Sequence, residues 1–165
     1  MKGKTHRFYL SLGSNIDPEQ NLAVAIRRLS DYGAVLEISG VWESHAIGSE
    51  GPDFLNACVS FAAPCRAELL KKSVLETIEG AMGRAKTTDK NAPRTIDIDI
   101  LMQDDRPLNV ERWSHVFVVV PMAELLPDMP HPSSGAPLAK EAIKAAASTW
   151  IRRRPGVLKL PDSTS

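Results

Sequence analysis

A run near the middle of the chain, Pro93-Arg94-Thr95-Ile96-Asp97-Ile98-Asp99-Ile100, alternates apolar and acidic side chains. Since successive side chains of a strand point to opposite faces, the isoleucines share one face and the two aspartates share the other. The pattern predicts a strand over residues 95–102. Because one face of this strand is apolar, we expect a sheet whose apolar face is covered by other elements.

Asp97 and Asp99 would lie roughly 7 Å apart at their Cα atoms, so their carboxylates repel unless they share a cation. Oxygen ligands without histidine or thiolate favour Mg²⁺, which commonly binds together with the phosphates of a substrate. The alternative is a solvated acidic face of a strand. Both interpretations stay open on these two residues alone.

Apolar periodicity and turn residues predict the order of the other elements. The order is a strand over residues 7–12, a helix capped by Asp17 and running to Tyr32, strands over 35–42 and 54–62 joined by a loop over 43–52, a helix over 66–83, the strand over 95–102, a short strand over 117–120, and helical spacing over 138–151. The order β-α-β-β-α-β is ferredoxin-like. We therefore predict an α+β fold with an antiparallel sheet, helices on one face, and appended C-terminal strands and a helix.

The charge balance excludes several classes of partner. The 165 residues carry 20 Lys and Arg against 20 Asp and Glu, so the chain lacks the basic surface that non-specific nucleic-acid binding needs. Aromatic residues make up only 5 %, which argues against an RNA-stacking module. The length fits one domain over residues 1–165. Without a long apolar run or a signal-peptide pattern, we expect a cytoplasmic protein that contacts no membrane.

Three cations precede the acidic pair, namely Arg84, Lys86 and Arg94. A guanidinium group can bind a phosphate through two parallel hydrogen bonds. Three cations and two carboxylates within residues 84–99 therefore favour phosphoryl transfer. Cations near the end of a helix also stabilise its dipole, and this alternative stays open.

Two polar residues in apolar surroundings have two interpretations each. Asn56 shares a strand face with Phe54, where its amide either pairs with a structural partner or binds the edge of a flat heterocycle. His115 is either a phosphate partner or a residue at the edge of a strand.

These motifs, in this order, resemble the 6-hydroxymethyl-7,8-dihydropterin pyrophosphokinase family over about residues 8–128. The resemblance rests on Leu12-Gly13-Ser14-Asn15, on Glu43 with Gly48, on Phe54-Leu55-Asn56, on Glu79 with Gly83-Arg84, and above all on residues 93–101. The family's ferredoxin-like fold agrees with the element order above.

The resemblance implies transfer of the β,γ-pyrophosphoryl group of ATP to the hydroxymethyl group of a reduced pterin. It implies that Asp97 and Asp99 bind two Mg²⁺ ions and that Arg84 and Arg94 are catalytic. The implied ATP-binding residues are Glu79, Lys86, Arg94, Ile100 and His115. The implied pterin-binding residues are Ser44, Ile47, Phe54, Asn56 and Phe117. The expected partners are these two small substrates, with the chain a monomer or a weak homodimer.

One segment departs from the family pattern. Arg112-Trp113-Ser114-His115-Val116-Phe117 lacks the family's His-Pro segment, and His115 stands where the family has an arginine. Loss of one preorganised charged donor typically slows chemistry by about 10²–10³. The sequence therefore predicts a slow enzyme, with a non-catalytic pterin- or nucleotide-binding relative, or a kinase for a different pterin, as the alternatives.

Overall fold

The structure is a computed structural model that describes residues 3–48, 50–83 and 95–160. The strands are β1 (His6–Ser14), β2 (Ala34–Ile38), β3 (Val41–Ser44), β4 (Phe54–Ala63), β5 (Asp97–Gln103), β6 (Arg106–Pro107) and β7 (Ile151–Arg154). The α-helices are α1 (Pro18–Leu29), α2 (Ala67–Leu69), α3 (Glu76–Ala81), α4 (Val116–Leu125) and α5 (Leu138–Ser148). A π-helical segment (Leu70–Leu75) joins α2 to α3, and a 3-10 helix (Val110–Ser114) precedes α4.

The described strands form one antiparallel sheet in the order β6-β5-β1-β4-β3-β7, with β2 pairing with β4 as well. The centre of the sheet is β1, which pairs with β4 along its whole length and with β5 over residues 8–13. The predicted α+β, ferredoxin-like fold is confirmed.

Alternation along β1 divides the sheet into two faces. Leu10 and Leu12 are fully buried on the face that α1 and the α2–α3 helix cover. Burying each such leucine contributes roughly 1.5–3 kcal/mol. Tyr9 points to the opposite face, where it packs in a second core with Cys58 of β4 and Val118 of α4. The two ferredoxin-like helices thus share one face, as expected, and the appended helix α4 covers part of the other.

The short strand predicted over residues 117–120 is wrong, because these residues lie in α4. Val118, Val119 and Val120 are all buried, so apolar side chains point in every direction around the helix. A short apolar run of this kind cannot be assigned to strand or buried helix by its periodicity. Packing against β4 and α5 favours the helix and outweighs the strand propensity of valine.

The strand predicted over residues 35–42 is divided into β2 and β3 at Ser39 and Gly40. The backbone of Cys58 donates to Ser39 Oγ at 2.9 Å, and Ser39 N donates to the carbonyl of Cys58 at 2.9 Å. The serine hydroxyl thus takes the place of a backbone acceptor, which interrupts the regular ladder.

Two other predictions need smaller corrections. Asp17 precedes α1, but its side chain makes no capping hydrogen bond among the described residues, and its backbone is left-handed at φ 41°. The helix predicted over 138–151 ends at Ser148, because residues 151–154 pair with β3 as β7. A membrane-crossing helix would need a longer apolar stretch than any described helix has.

The outer strand β7 holds a buried carboxylate of β3. Glu43, with a side chain only 13 % exposed, accepts hydrogen bonds from Arg152 at 2.8 Å and from Arg154 at 2.9 Å. The hydrogen bond from Arg152, together with the one from Arg154, outweighs the opposing effect of burial and lowers the pKa of Glu43 to about 2.

This carboxylate predicts a specific loss of stability in acid. Its pKa is lower in the folded protein than in the unfolded chain, so it stabilises the fold above about pH 4.5 and loses this contribution as the pH falls toward 2. We expect Glu43→Gln to lower the free energy of unfolding by roughly 2–3 kcal/mol at pH 7, and by much less near pH 2.5. Urea unfolding of both proteins across this pH range measures the difference. A difference of the same size at pH 7 and at pH 2.5 would contradict the assignment.

Candidate active site

The register of the sheet aligns four residues in one row across neighbouring strands. Trp42 pairs with Asn56, Asn56 with Gly13, and Gly13 with Asp97. Directly paired residues of antiparallel strands point to the same face. The amide of Asn56 and the carboxylate of Asp97 therefore lie on one face, separated by a glycine.

Gly13 leaves space between these polar groups. A Cβ atom at this position would lie 3.2 Å from Asn56 Oδ1 and 3.6 Å from the ring of Phe54. The first distance is tighter than almost all real contacts of a Cβ atom. Any other residue would crowd the amide, so the glycine preserves a flat floor beside Asn56 and Phe54.

Asn56 is held firmly in place. Its Nδ2 group donates to the carbonyl of Trp42 at 3.1 Å and to Ser44 Oγ at 2.8 Å, and the residue is only 3 % exposed. Among the residues predicted for the pterin, Asn56, Phe54 and Ser44 thus form one group at the β3–β4 end of the sheet. Ile47 lies in the following loop and is 55 % exposed.

Asp97 and Asp99 point to the same face of β5, and their side chains are 22 % and 31 % exposed. The guanidinium of Arg112 lies beside them, with its Nη2 atom 2.7 Å from Asp99 Oδ2 and 4.0 Å from Asp97 Oδ2. Its Nε atom is buried and has no hydrogen-bond partner among the described residues. Arg112 thus offsets the repulsion between the two carboxylates in this structure, and the binding of Mg²⁺ to them stays a prediction.

The 3-10 helix that carries Arg112 is anchored on both sides. Trp113 is fully buried, and its carbonyl accepts a hydrogen bond from His131 Nε2 at 2.7 Å. Nε2 is the nitrogen that donates, because His131 Nδ1 accepts a hydrogen bond from the backbone amide of Ser133 at 3.1 Å. Asn109, just before the helix, donates to the carbonyl of Ile100 at 2.8 Å. These contacts fix the backbone of Arg112 over β5.

Glu79 supports the same strand from its outer edge. This carboxylate of α3 is 7 % exposed, and its Oε2 atom accepts from the backbone amide of Ile98 at 3.1 Å. A buried carboxylate that accepts a backbone amide ties α3 to β5. Glu79 therefore positions β5 at Ile98, the residue between Asp97 and Asp99. The contact of Glu79 with ATP stays a prediction.

His115 packs face to face with Phe117, with ring centroids 4.8 Å apart and an angle of 9° between the planes. Burial, and then the charge of Arg112, lower the pKa of His115. The direction of this shift favours the neutral imidazole in the protein without substrate, unlike the permanently charged arginine that the resemblance places at this position. The contact of His115 with ATP stays a prediction, as does the stacking of Phe117 on a pterin.

A cavity of about 690 Å³ opens beside β5. Ile100 and Leu108 line it, together with three basic and three acidic side chains: Arg66, Lys71, Arg106, Glu68, Asp104 and Asp105. Ile100 belongs to the core on the helix side of β5, so the cavity lies at the edge of this strand and not on the face that carries Asp97 and Asp99.

Three predicted site residues, Arg84, Lys86 and Arg94, lie outside the described residues. Within the described ranges, no group of three or more His, Cys, Asp or Glu side chains could hold a metal ion. A metal at Asp97 and Asp99 would therefore take its other ligands from substrate or water, the usual arrangement for Mg²⁺ at phosphates.

Sequence reasoning missed two residues of this site, Arg112 and Gly13. Arg112 lies in a polar stretch without periodicity, and only its charge, opposite to that of the aspartates, could have pointed to it. Gly13 was noted within a turn motif, but its partners Asn56 and Asp97 follow only from the register.

Comparison with known proteins shows a family similarity over most of the chain. The model of the family described as 7,8-dihydro-6-hydroxymethylpterin-pyrophosphokinase matches residues 9–127. A 2-amino-4-hydroxy-6-hydroxymethyldihydropteridine pyrophosphokinase of Synechocystis is 35 % identical over 144 residues, which cover 79 % of this chain and 71 % of the relative. A protein of the same name from Methylorubrum extorquens is 32 % identical, with 89 % of this chain and 98 % of the relative covered.

A solved structure supports the fold. Plasmodium falciparum HPPK-DHPS, wild type with pteroate, has a TM-score of 0.69 at 12 % identity, with 89 % of this chain covered. The chain spans 45 % of the length of that protein. The family match over most of the chain and the identity of the relatives lead to one conclusion. This chain belongs to the 7,8-dihydro-6-hydroxymethylpterin-pyrophosphokinase family.

Proposed function

We propose that this chain transfers pyrophosphate from ATP to the hydroxymethyl group of 6-hydroxymethyl-7,8-dihydropterin, a step of folate synthesis, on the face of the sheet that carries Asn56 and Asp97. The observation that carries the proposal is the row Asn56–Gly13–Asp97. Neighbouring strands are about 4.8 Å apart, so the amide and the carboxylate lie about 10 Å apart across the glycine. A flat bicyclic ring over Gly13 would reach from one to the other.

The amide of Asn56 would bind one edge of the pterin. Both of its N–H groups are used by Trp42 and Ser44, so its carbonyl oxygen is the atom left to accept from the ring. Phe54, which lies beside Gly13, and Phe117, which the resemblance implies, would supply aromatic surfaces for stacking. The hydroxymethyl group would then point along the row toward the carboxylates.

The donor set at Asp97 and Asp99 fits Mg²⁺, because it offers only carboxylate oxygens and leaves coordination positions for phosphates. The number of ions is part of the proposal, and we propose two. When bound, Mg²⁺ would neutralise charge on the polyphosphate and on the attacking oxygen. The two aspartates hold it, and Glu79 keeps their strand in position.

In pyrophosphoryl transfer, as in phosphoryl transfer, the protein contributes mainly positioning and charge stabilisation. We propose that Arg112, released from Asp99, contacts the polyphosphate, together with Arg84, Lys86 and Arg94 carried over from the resemblance. The nucleoside end of ATP would enter the cavity that Ile100 lines at the edge of β5. A positive charge on the transferring group would then come from arginine at every pH of interest, because guanidinium stays protonated.

The reaction itself is the first test. Incubation of the protein with MgATP and hydroxymethyldihydropterin should release AMP rather than ADP. We expect Asp97→Asn and Asp99→Asn each to lower AMP formation by about 10²–10³ or more, because each removes a ligand for the metal. Chromatography of the nucleotides measures the rate.

The matched control is Asp31→Asn, which removes an exposed carboxylate at the end of α1 and should keep the wild-type rate. Asp99→Asn also weakens the ion pair with Arg112, so circular dichroism of both aspartate variants checks that they are folded. Near-native AMP formation by both aspartate variants would end the proposal for the metal. Pterin binding by the wild type without any AMP would instead favour the non-catalytic alternative.

The pterin site has a separate test in Asn56→Ala. The variant should bind pterin about tenfold or more weakly while its affinity for ATP stays within about twofold, because, of the two substrates, only the heterocycle would contact the amide. Calorimetry with each ligand gives both affinities, and circular dichroism confirms that the variant is folded. Equal losses for both ligands would indicate a structural role for Asn56.

The charge of His115 can be measured directly. Nuclear magnetic resonance should show His115 titrating below about 6.5, the ordinary value for histidine. In Arg112→Gln the titration should move upward, since a repelling charge is removed, but it should stay below 6.5 because burial, the larger cause, remains. If His115 of the wild type titrates above 6.5, the imidazole is a cation near neutrality and the role given to Arg112 must be shared.

A further inference from the structure

The loop that connects the two strands of the pterin pocket contacts a segment far away in the chain. The loop runs from His45 to Asp53, directly after Ser44 and directly before Phe54; its described residues, 45–48 and 50–53, are here called the pocket loop. Residues 150–154, here called the C-terminal strap, contain β7 and the tryptophan that precedes it.

One row of side chains joins the strap to the pocket loop. The pairing of Ser44 with Phe54 and with Ile151 ends the two strand ladders, and His45, Asp53 and Trp150 are the next residues along the three strands. His45 Nδ1 lies 2.9 Å from Asp53 Oδ1, which joins the two ends of the pocket loop. The same imidazole stacks on Trp150, with centroids 4.2 Å apart and an angle of 9° between the planes.

Trp150 is itself held in position. Its ring is 41 % exposed and the guanidinium of Arg152 lies 5.9 Å from its centroid. Arg152 also donates to Glu43, two residues before His45, and Asp53 lies within hydrogen-bond reach of Glu43. An exposed tryptophan is costly on a free surface, but here it forms a planar stack and a cation–π contact.

We propose that the C-terminal strap positions the pocket loop for the pterin, with Trp150 as the positioning residue that acts through His45. The proposal rests on the proposed function, since it concerns the affinity of that site for its heterocycle. The stack fixes His45, the bond from His45 to Asp53 fixes the two ends of the pocket loop, and the ends adjoin Ser44 and Phe54. A loop that is already ordered loses less conformational entropy when the ligand binds, so the ligand binds more tightly.

This geometry predicts an effect on one substrate only. Trp150 lies at the β7 edge of the sheet, whereas Asp97 and Asp99 lie on β5, with β1, β4 and β3 between. Loss of the stack should therefore weaken pterin binding and leave ATP binding unchanged. A merely structural role would lower both affinities together.

The test compares the wild type with Trp150→Ala, Trp150→Phe and a control, Ile143→Ala, which removes an apolar side chain that is 75 % exposed on α5. Calorimetry measures the affinity for hydroxymethyldihydropterin in the presence of Mg²⁺ and a non-hydrolysable ATP analogue, and the affinity for the analogue alone. Hydrogen exchange with mass spectrometry follows the amides of the pocket loop.

We expect Trp150→Ala to weaken pterin binding by about three- to tenfold, the range that an aromatic pair contributes. Its affinity for the ATP analogue should stay within about twofold, and exchange in the pocket loop should become faster. Trp150→Phe keeps an aromatic face and should recover most of the affinity. Ile143→Ala should match the wild type in every measurement.

Two results would overturn the inference alone, in a wild type that binds pterin and forms AMP. One is an unchanged pterin affinity in Trp150→Ala, and the other is an equal loss of affinity for both ligands. A wild type that neither binds pterin nor forms AMP would overturn the proposed function, and this inference with it.

Discussion

The pairing of Gly13 with Asn56 on one side and with Asp97 on the other is the constraint on which the rest of the site depends. Backbone hydrogen bonds along β1 fix this register, and the buried leucines of β1 hold it, because a shift by one residue would turn them to the opposite face. The same register brings an amide and a carboxylate to one face. Fold and site are therefore specified by one set of contacts.

The two faces of the sheet have different tasks. One face is covered by α1 and the α2–α3 helix over a continuous apolar core, which stabilises the fold. The other face is apolar only at one end, where Tyr9 and Cys58 pack against α4. At the other end the same strands carry Asn56 and Asp97, so the polar groups are mounted on strands that the core keeps rigid. Rigid strands hold such groups more accurately than loops do.

Charge in the site is organised around Arg112 rather than His115. The chain goes from the 3-10 helix to α4 with only His115 between them, and among the described residues it is the guanidinium of Arg112 that lies beside the carboxylates. His115 is half-buried beside this cation, and both conditions disfavour its protonation. The shorter segment thus keeps a permanent cation near the carboxylates, although it lacks the arginine expected at position 115.

The amino-acid sequence by itself determined which side chains share a face of β5, the apolar character of the opposite face, the ferredoxin-like order, and the family. These follow from periodicities of two and 3.6 residues and from local motifs, which act between near neighbours along the chain. Only the tertiary structure decided that residues 117–120 are helical, that Arg112 reaches Asp99, and that Trp150 stacks on His45. The residues that meet in the last two contacts are 13 or more positions apart in the chain. Residues 117–120 are helical only because other elements bury them on all sides. Local patterns carry no record of such packing, because its free energy comes from surfaces that meet only after the chain has folded.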